Sequence, residues 1–211
     1  MLAGVPKLDR LNANKYSSNN APDYILFALA TIDNRHPFWD ESMTKLSMLT
    51  NYQIDDTIHL LNRDPYTSVN LDFILLKKRN KKFKIKEVKS TKLTYHIGDT
   101  LHLPKTNNLL YLYADVKYSF YGKLKKYLFQ PNIFNADILY EEFSNPIKYR
   151  AVIPLLKGGV LVNKRIVWFD DAISFFDLEK VNKGVEYIIF TPKSSELIQT
   201  FDLELKEYII E

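Results

Sequence analysis

Two apolar, β-branched runs flanking a short charged loop constrain this chain more than any other feature. Asn70-Leu71-Asp72-Phe73-Ile74-Leu75-Leu76 and Phe83-Lys84-Ile85-Lys86-Glu87-Val88-Lys89 enclose Lys77 to Lys82, the layout of a β-hairpin. With the turn centred between Arg79 and Asn80, Asp72 faces Glu87; a slip of two residues puts it opposite Lys89. Directly opposed side chains share a face of a sheet, and Glu87 and Lys89 share one by the period of two. Either register gathers two carboxylates and an ammonium at one spot, a place suited to a divalent metal, whereas an odd slip scatters them.

The bulk of the chain fits one globular domain. Its 211 residues are 46% hydrophobic and 26% charged, enough for a sizeable core and too apolar for disorder. It has no cysteine, which excludes disulfides, thiolate zinc sites and cysteine nucleophiles and fits a reducing compartment. No apolar run reaches the roughly 18 residues needed to span a bilayer, and Met1 to Lys7 lacks a signal-peptide layout. A cytoplasmic protein with no membrane partner is expected. The formal charge is +4, unevenly placed. Lys77 to Lys89 has Glu87 as its only acid, and Lys117, Lys123, Lys125 and Lys126 lie among Tyr118, Phe120, Tyr121 and Tyr127. Such stripes beside a metal site suit a polyanion; a solvated hairpin loop is the plainer alternative.

Residues 7–22 read as a polar arm or loop closed by Pro22, and Asp23 to Ile32 as an apolar segment of helical potential. Pro37 to Tyr52 is a predicted helix with Asp40 as N-cap, residues 54–62 a short helix or strand, and Asp64-Pro65 a break. Leu109 to Tyr118 is a strand, apolar on both faces at its start. Asn135 to Phe143 reads as a helix. Val152–Leu156, Gly159–Val162 and Arg165–Phe169 read as short strands, the last two forming a hairpin through Asn163-Lys164. A helix runs from Asp170 or Asp171 to Lys183, Val185 to Thr191 is a buried strand, and Ser194 or Ser195 opens a terminal helix with Leu197, Phe201, Leu205 and Ile209 on one side. The class is α/β in the broad sense (mixed α+β), with a central mixed sheet flanked by helices.

Asp72, then fourteen residues, then Glu87-x-Lys89, continues through Ser90-Thr91-Lys92, Asp99-Thr100-Leu101-His102-Leu103-Pro104 and Asn108 to Tyr113. This pattern, over roughly residues 38–120, resembles the PD-(D/E)xK nuclease superfamily and, within it, type II restriction endonucleases. Leu71 stands where the proline of the name would be. The resemblance implies a restriction-endonuclease-like single domain over 1–211: an arm at 1–22, a catalytic core at 38–120, and recognition or dimerisation elements at 121–211. It implies Asp72 and Glu87 as Mg²⁺ ligands, Lys89 beside the attacking water, and Glu41 as a further helix-borne acid. Carboxylate oxygens hold Mg²⁺ while leaving sites for water and phosphate, the metal acidifies that water, and a lysine can neutralise the developing charge. The implied activity is Mg²⁺-dependent hydrolysis of double-stranded DNA by a homodimer. Backbone contacts would come from Lys77, Lys78, Arg79, Lys81, Lys123, Lys125 and Lys126, and base contacts from second-half loops such as Asn163, Lys164 and Arg165.

The acid-x-Lys pattern also occurs at Asp115-Val116-Lys117, with Asp99 upstream, and at Glu204-Leu205-Lys206. The first is a competing site, although Gly98-Asp99 reads as a turn; the second reads as a surface pair. His36, His59, His96 and His102 lack metal-ligand spacing, and no phosphate-binding glycine loop or serine-hydrolase elbow is present. A transposition or junction-cleaving nuclease, or a non-enzymatic nucleic-acid-binding or viral structural protein, are the rival readings.

Overall fold

Period-two alternation shapes more of this chain than the helical repeat does. The computed structural model describes residues 6–31, 33–60, 71–128, 134–178, 183–192 and 198–211. In chain order the elements are α1 (Pro6–Ser17), β1 (Tyr24–Ala28), α2 (Ser42–Asn51), β2 (Tyr52–Leu60), β3 (Leu71–Lys78), β4 (Ile85–His96), β5 (Thr100–His102), β6 (Leu109–Tyr118), α3 (Phe120–Leu128), β7 (Phe134–Tyr140), β8 (Ile147–Ala151), α4 (Ile153–Gly158), β9 (Val160–Leu161), α5 (Phe169–Phe176), β10 (Val185–Pro192) and β11 (Ile198–Ile210). The strands form three antiparallel sheets, ordered β1-β3-β2, β5-β10-β7-β8 and β4-β11-β6-β9. The mixed α+β class holds; the central mixed sheet is replaced by these three.

The two four-stranded sheets stack face to face as a β-sandwich. Phe134, Ile138, Tyr140, Ile188 and Phe190 of one sheet meet Tyr95, Leu112, Phe201 and Leu203 of the other, burial worth roughly 2 kcal/mol per large side chain. The buried Tyr95 hydroxyl accepts the Phe190 N–H at 2.9 Å and donates to the Asp99 carbonyl, so the core carries no orphan phenol there. A second core lies on the far side of the β4-β11-β6-β9 sheet. There Leu109, Tyr111 and Tyr208 pack with Phe27, Ile74 and Leu76 of the small sheet, Leu49 of α2, and Phe175 and Phe176 of α5. Leu109 to Leu112 are consequently buried on both faces, as the sequence suggested.

Several expectations are corrected, for identifiable reasons. Leu197, Phe201, Leu205 and Ile209 are spaced by four, which fits a helix but also one face of a strand. Leu203, buried in the same row, breaks the helical reading, and Ile198–Ile210 is the long strand β11. Asn135 to Phe143 fails as a helix likewise, because Phe134, Ala136, Ile138 and Tyr140 are buried in strict alternation in β7. The polar stretch 7–22 contains helix α1, and Asp23 to Ile32 contains strand β1, paired to β3. Val152–Leu156 lies largely in α4, and the hairpin through Asn163-Lys164 is absent, since β9 pairs with β6. Asp64-Pro65, Asn70, Ser194, Ser195 and Leu197 lie outside the described residues.

The predicted Lys77–Lys82 hairpin does not form either. β3 is the middle strand of its sheet, with β1 and β2 occupying both of its edges, while β4 pairs with β11. The connection instead caps helices, whose last carbonyls lack intrahelical partners. Arg79 N–H donates to the Asn51 carbonyl at 2.8 Å and Phe83 N–H to that of Thr50 at 3.0 Å, at the end of α2. Lys82 Nζ reaches the Ser17 carbonyl at 2.6 Å, and Lys78 Nζ those of Asn19 and Ala21 at 3.2 Å, at and beyond the end of α1.

At its other end α2 is capped from a distance. Glu41 precedes the helix with φ 56° and supplies no side-chain cap. The carboxylate of Asp9, on α1, accepts the Met43 N–H at 3.0 Å, the Thr44 N–H at 2.8 Å and the Thr44 hydroxyl at 2.8 Å. Asp9 is only 7% exposed, and a carboxylate at a helix N-terminus is favoured by both hydrogen bonding and the macrodipole. Asp9→Ala should therefore lower the unfolding free energy by about 2 kcal/mol in urea denaturation. Asp9→Asn, which keeps one acceptor oxygen, should recover part of that loss.

Candidate functional site

The residues expected to form a metal site are dispersed. Asp72, on β3, stands opposite His59 of β2, and its Oδ1 lies 2.8 Å from His59 Nδ1. Glu87, on β4 in a different sheet, accepts from Lys206 Nζ at 3.0 Å. Glu87 and Lys89 do not share a face, because β4 carries a bulge: Lys89 pairs with Glu207 and Glu87 with the adjacent Tyr208. Neighbouring residues of a regular strand point to opposite faces, so Val88 becomes an extra residue and the period-two inference fails across it. Glu41 accepts from Asn12 Nδ2 at 3.1 Å at the start of α2. These residues do not fit a Mg²⁺ ligand set. Among the described residues no group of three or more His, Asp, Glu or Cys side chains could hold a metal ion.

The basic stripe is largely engaged within the protein. Lys77 lies 4.0 Å from Asp55 and over the Tyr24 ring, and Lys78 and Lys82 cap α1. Arg79 stacks on Phe83, 4.5 Å from its ring centre, and borders a cavity of about 560 Å³ with Gln53, Ile54, Ile173 and Phe176. Lys81 and Lys123 are exposed; the side chains of Lys125 and Lys126 lie outside the described residues. The second-half loop residues are not free to read bases. Asn163 is buried and substitutes for a missing strand, accepting from Leu110 N–H and donating to the Asn108 carbonyl, both at 2.8 Å. Arg165 is buried against Asp171 at 2.6 Å, and Lys164 donates to the Asn107 carbonyl at 2.9 Å.

The competing acid-x-Lys pair has a different outcome. Asp115 and Lys117 lie on the outer face of the β4-β11-β6-β9 sheet, and Asp202 is directly opposite Asp115. Two carboxylates and an ammonium therefore share one face there. Lys117 pairs with Asp202 at 2.7 Å and Lys157 with Asp115 at 3.2 Å. Asp99, the acid expected beside them, sits in the Gly98 turn, 3.5 Å from His96. Asp115, Asp202, Glu204, Lys92, Thr94, Tyr113 and Lys157 line an open groove of about 590 Å³. Next to it, Lys206 binds Glu87, which raises the lysine pKa, and lies 3.8 Å from Glu204. Glu204 also accepts the Ser90 hydroxyl at 2.8 Å.

A second polar cluster has no motif to announce it. In the segment preceding α2, Asp33, Asn34 and Glu41 adopt left-handed φ of 55°, 56° and 56°, strained for residues other than glycine. Arg35 is buried between Asp40 at 3.2 Å and Asp33 at 3.6 Å. His36, 2% exposed, stacks on Trp39 and accepts the Phe38 N–H on Nδ1 at 3.1 Å. Burial, with the nearby Lys45 charge second, pushes its pKa down to about 3. Burial likewise lowers Lys45 to about 8, against the opposing pull of Glu41, Asp40 and Asp9. The only sequence signal is an Arg-His pair set between acids and aromatics, which is compatible with many surface loops.

Comparison of the sequence with protein-family models and curated proteins, and of the fold with solved structures, returned no match. No described helix is long and apolar enough to cross a membrane.

The His36 environment gives a pH signature. The folded imidazole protonates near pH 3 and the unfolded one near 6.5, so its stabilising effect is complete above pH 6.5 and is lost as pH falls toward 3. The slope in that window is about 1.4 kcal/mol per pH unit. Between pH 7 and about pH 4.5, urea denaturation of the wild type should lose about 2–3 kcal/mol more than that of His36→Gln.

Proposed function

We propose that this chain is a β-sandwich binding module whose open groove takes an uncharged, hydroxyl-rich ligand such as a stretch of polysaccharide. The observation that carries this reading is the charge balance of the groove. Lys92, Lys157 and the adjoining Lys117 stand against Asp115, Asp202 and Glu204. A polyanion would meet as many carboxylates as ammonium groups there, and like charges brought together oppose binding. A polyol can donate to the carboxylates and accept from the ammoniums without needing a counter-charge, and Tyr113 and Thr94 add a ring and a hydroxyl in the same wall. Ligand sites commonly combine such a cleft with a few convergent polar groups. The endonuclease reading needs Asp72, Glu87 and Lys89 at one place, and the strand pairing separates them, so it lacks the observation it would rest on.

Isothermal titration against neutral gluco-, galacto- and manno-configured oligosaccharides, with duplex DNA in parallel, tests the proposal. At least one neutral oligosaccharide should bind. Asp115→Ala or Asp202→Ala, at exposed positions, should weaken that binding by roughly tenfold, the effect of losing one charge-assisted hydrogen bond. Binding and Mg²⁺-dependent cleavage of duplex DNA, with no oligosaccharide response, would overturn it in favour of the nuclease.

A further inference from the structure

Helix α3 has its apolar side turned the wrong way for a helix that packs on its own domain. Ser119 starts it: its hydroxyl accepts the Gly122 N–H at 3.0 Å, and its carbonyl accepts the Lys123 N–H at 2.9 Å. Phe120 and Leu124, one turn apart, are 85% and 49% exposed, and Tyr121 beside them is 57% exposed. Gly122, on the opposite side, is buried. A helix with a strong apolar stripe normally buries that stripe, and contiguous exposed apolar side chains mark interaction surfaces rather than ordinary solvent-facing ones. Along the sequence, the charge around the stripe has one sign. Between Asp115 and Asp137 the sequence contains Lys117, Lys123, Lys125 and Lys126 and no acid. Lys117 is held by Asp202; Lys123 is exposed.

We propose that α3 docks the protein onto an anionic lipid surface, with Phe120, Tyr121 and Leu124 entering the headgroup–acyl boundary and Lys123 meeting the lipid headgroups. Helices lying in this interface have this composition, with aromatic and Leu side chains on one side and Lys on the flanks. Lysine stems can lie along the apolar layer while their ammonium groups stay in water. The nine residues of α3 are too few to cross a bilayer, so the association is peripheral, which the lack of a described membrane-crossing helix leaves open. Duplex DNA fits the lysines but gives Leu124 no partner. Lipid accommodates both sets of side chains, and this is independent of the groove ligand.

Co-sedimentation of the full chain with phosphatidylcholine vesicles, with and without about one-third phosphatidylglycerol, tests the proposal, and anisotropy with labelled duplex DNA runs beside it. The wild type should partition onto the anionic vesicles and not the neutral ones, and high salt should release it. Phe120→Ser combined with Leu124→Ser should weaken partitioning by tenfold or more. Lys123→Glu, on the flank, should weaken it by about fivefold or more, the contribution of one lysine near an anionic leaflet. Circular dichroism checks that both variants keep the wild-type fold; if the double variant does not, Lys123→Glu decides. No partitioning of the wild type, or variants that bind like wild type, would overturn the assignment. DNA binding without vesicle binding would overturn it in favour of nucleic acid.

Discussion

The structure depends on β6 and β11 being buried on both faces over part of their length. Their inward rows, Leu110, Leu112 and Ala114 with Phe201, Leu203 and Leu205, close the sandwich core. Their outward rows at one end, Leu109 and Tyr111 with Tyr208, close the second core under the small sheet and α2 and α5. A strand buried on both faces needs continuous rather than alternating apolar residues, and Leu109-Leu110-Tyr111-Leu112 supplies them. At the other end the outward row changes to Tyr113, Asp115 and Lys117 opposite Glu204, Asp202 and Thr200. The groove begins where the second layer stops. One pair of strands thus sets both the thickness of the protein and the position of its candidate site.

The second core is held in place by hydrogen bonds more than by pattern. Asp9 caps the N-terminus of α2 from α1, and the connection after β3 caps the C-terminal ends of both helices, so three helix termini are satisfied by groups brought from elsewhere in the chain. The lysines that make the stretch look like a nucleic-acid contact thereby contribute to stability. A lysine at a helix C-terminus satisfies free carbonyls and the negative end of the dipole together. The predicted hairpin fails for one cause: the polar connection after β3 crosses from one sheet to another, where a tight turn would return the chain to its own sheet.

How far the sequence could be read follows from which regularities are local. Leu109 to Tyr118 and Val185 to Thr191 were legible because buried strands need only composition. The helix before Tyr52 was legible from its apolar spacing, although its cap, Asp9, lies 35 positions before Thr44 and could not be found by local rules. The helix reading of β11 fails because a spacing of four fits both a strand and a helix; only the residue halfway between decides, and Leu203 decides for strand. The 72/87/89 constellation failed on two non-local facts: the edges of β3 are both taken, and a single bulged residue, Val88, turns Lys89 to the other face. Strand parity can be inferred from sequence. Partner choice and bulges cannot, because both depend on competition among strands far apart in the chain.

The geometry that was expected at Asp72 and Glu87, acid opposite acid-x-Lys on one face, is met instead by Asp202 opposite Asp115-x-Lys117. Spacing alone therefore does not distinguish a reactive cluster from a ladder of cross-strand ion pairs. The surroundings do. Asp115 and Asp202 are more than half and nearly half exposed, each beside its own lysine, where water screens the charges and exposed pairs contribute little to stability. Charges on such a face are cheap to rearrange, so a neutral ligand can replace an ion-pair contact with its own hydroxyls at small cost. The Arg35–Asp40 and Arg165–Asp171 pairs, whose arginines are buried, are the opposite case. Removing a carboxylate from either pair weakens the pairing of a charge in the interior, which binds those pairs to the architecture and leaves recognition to the outer face.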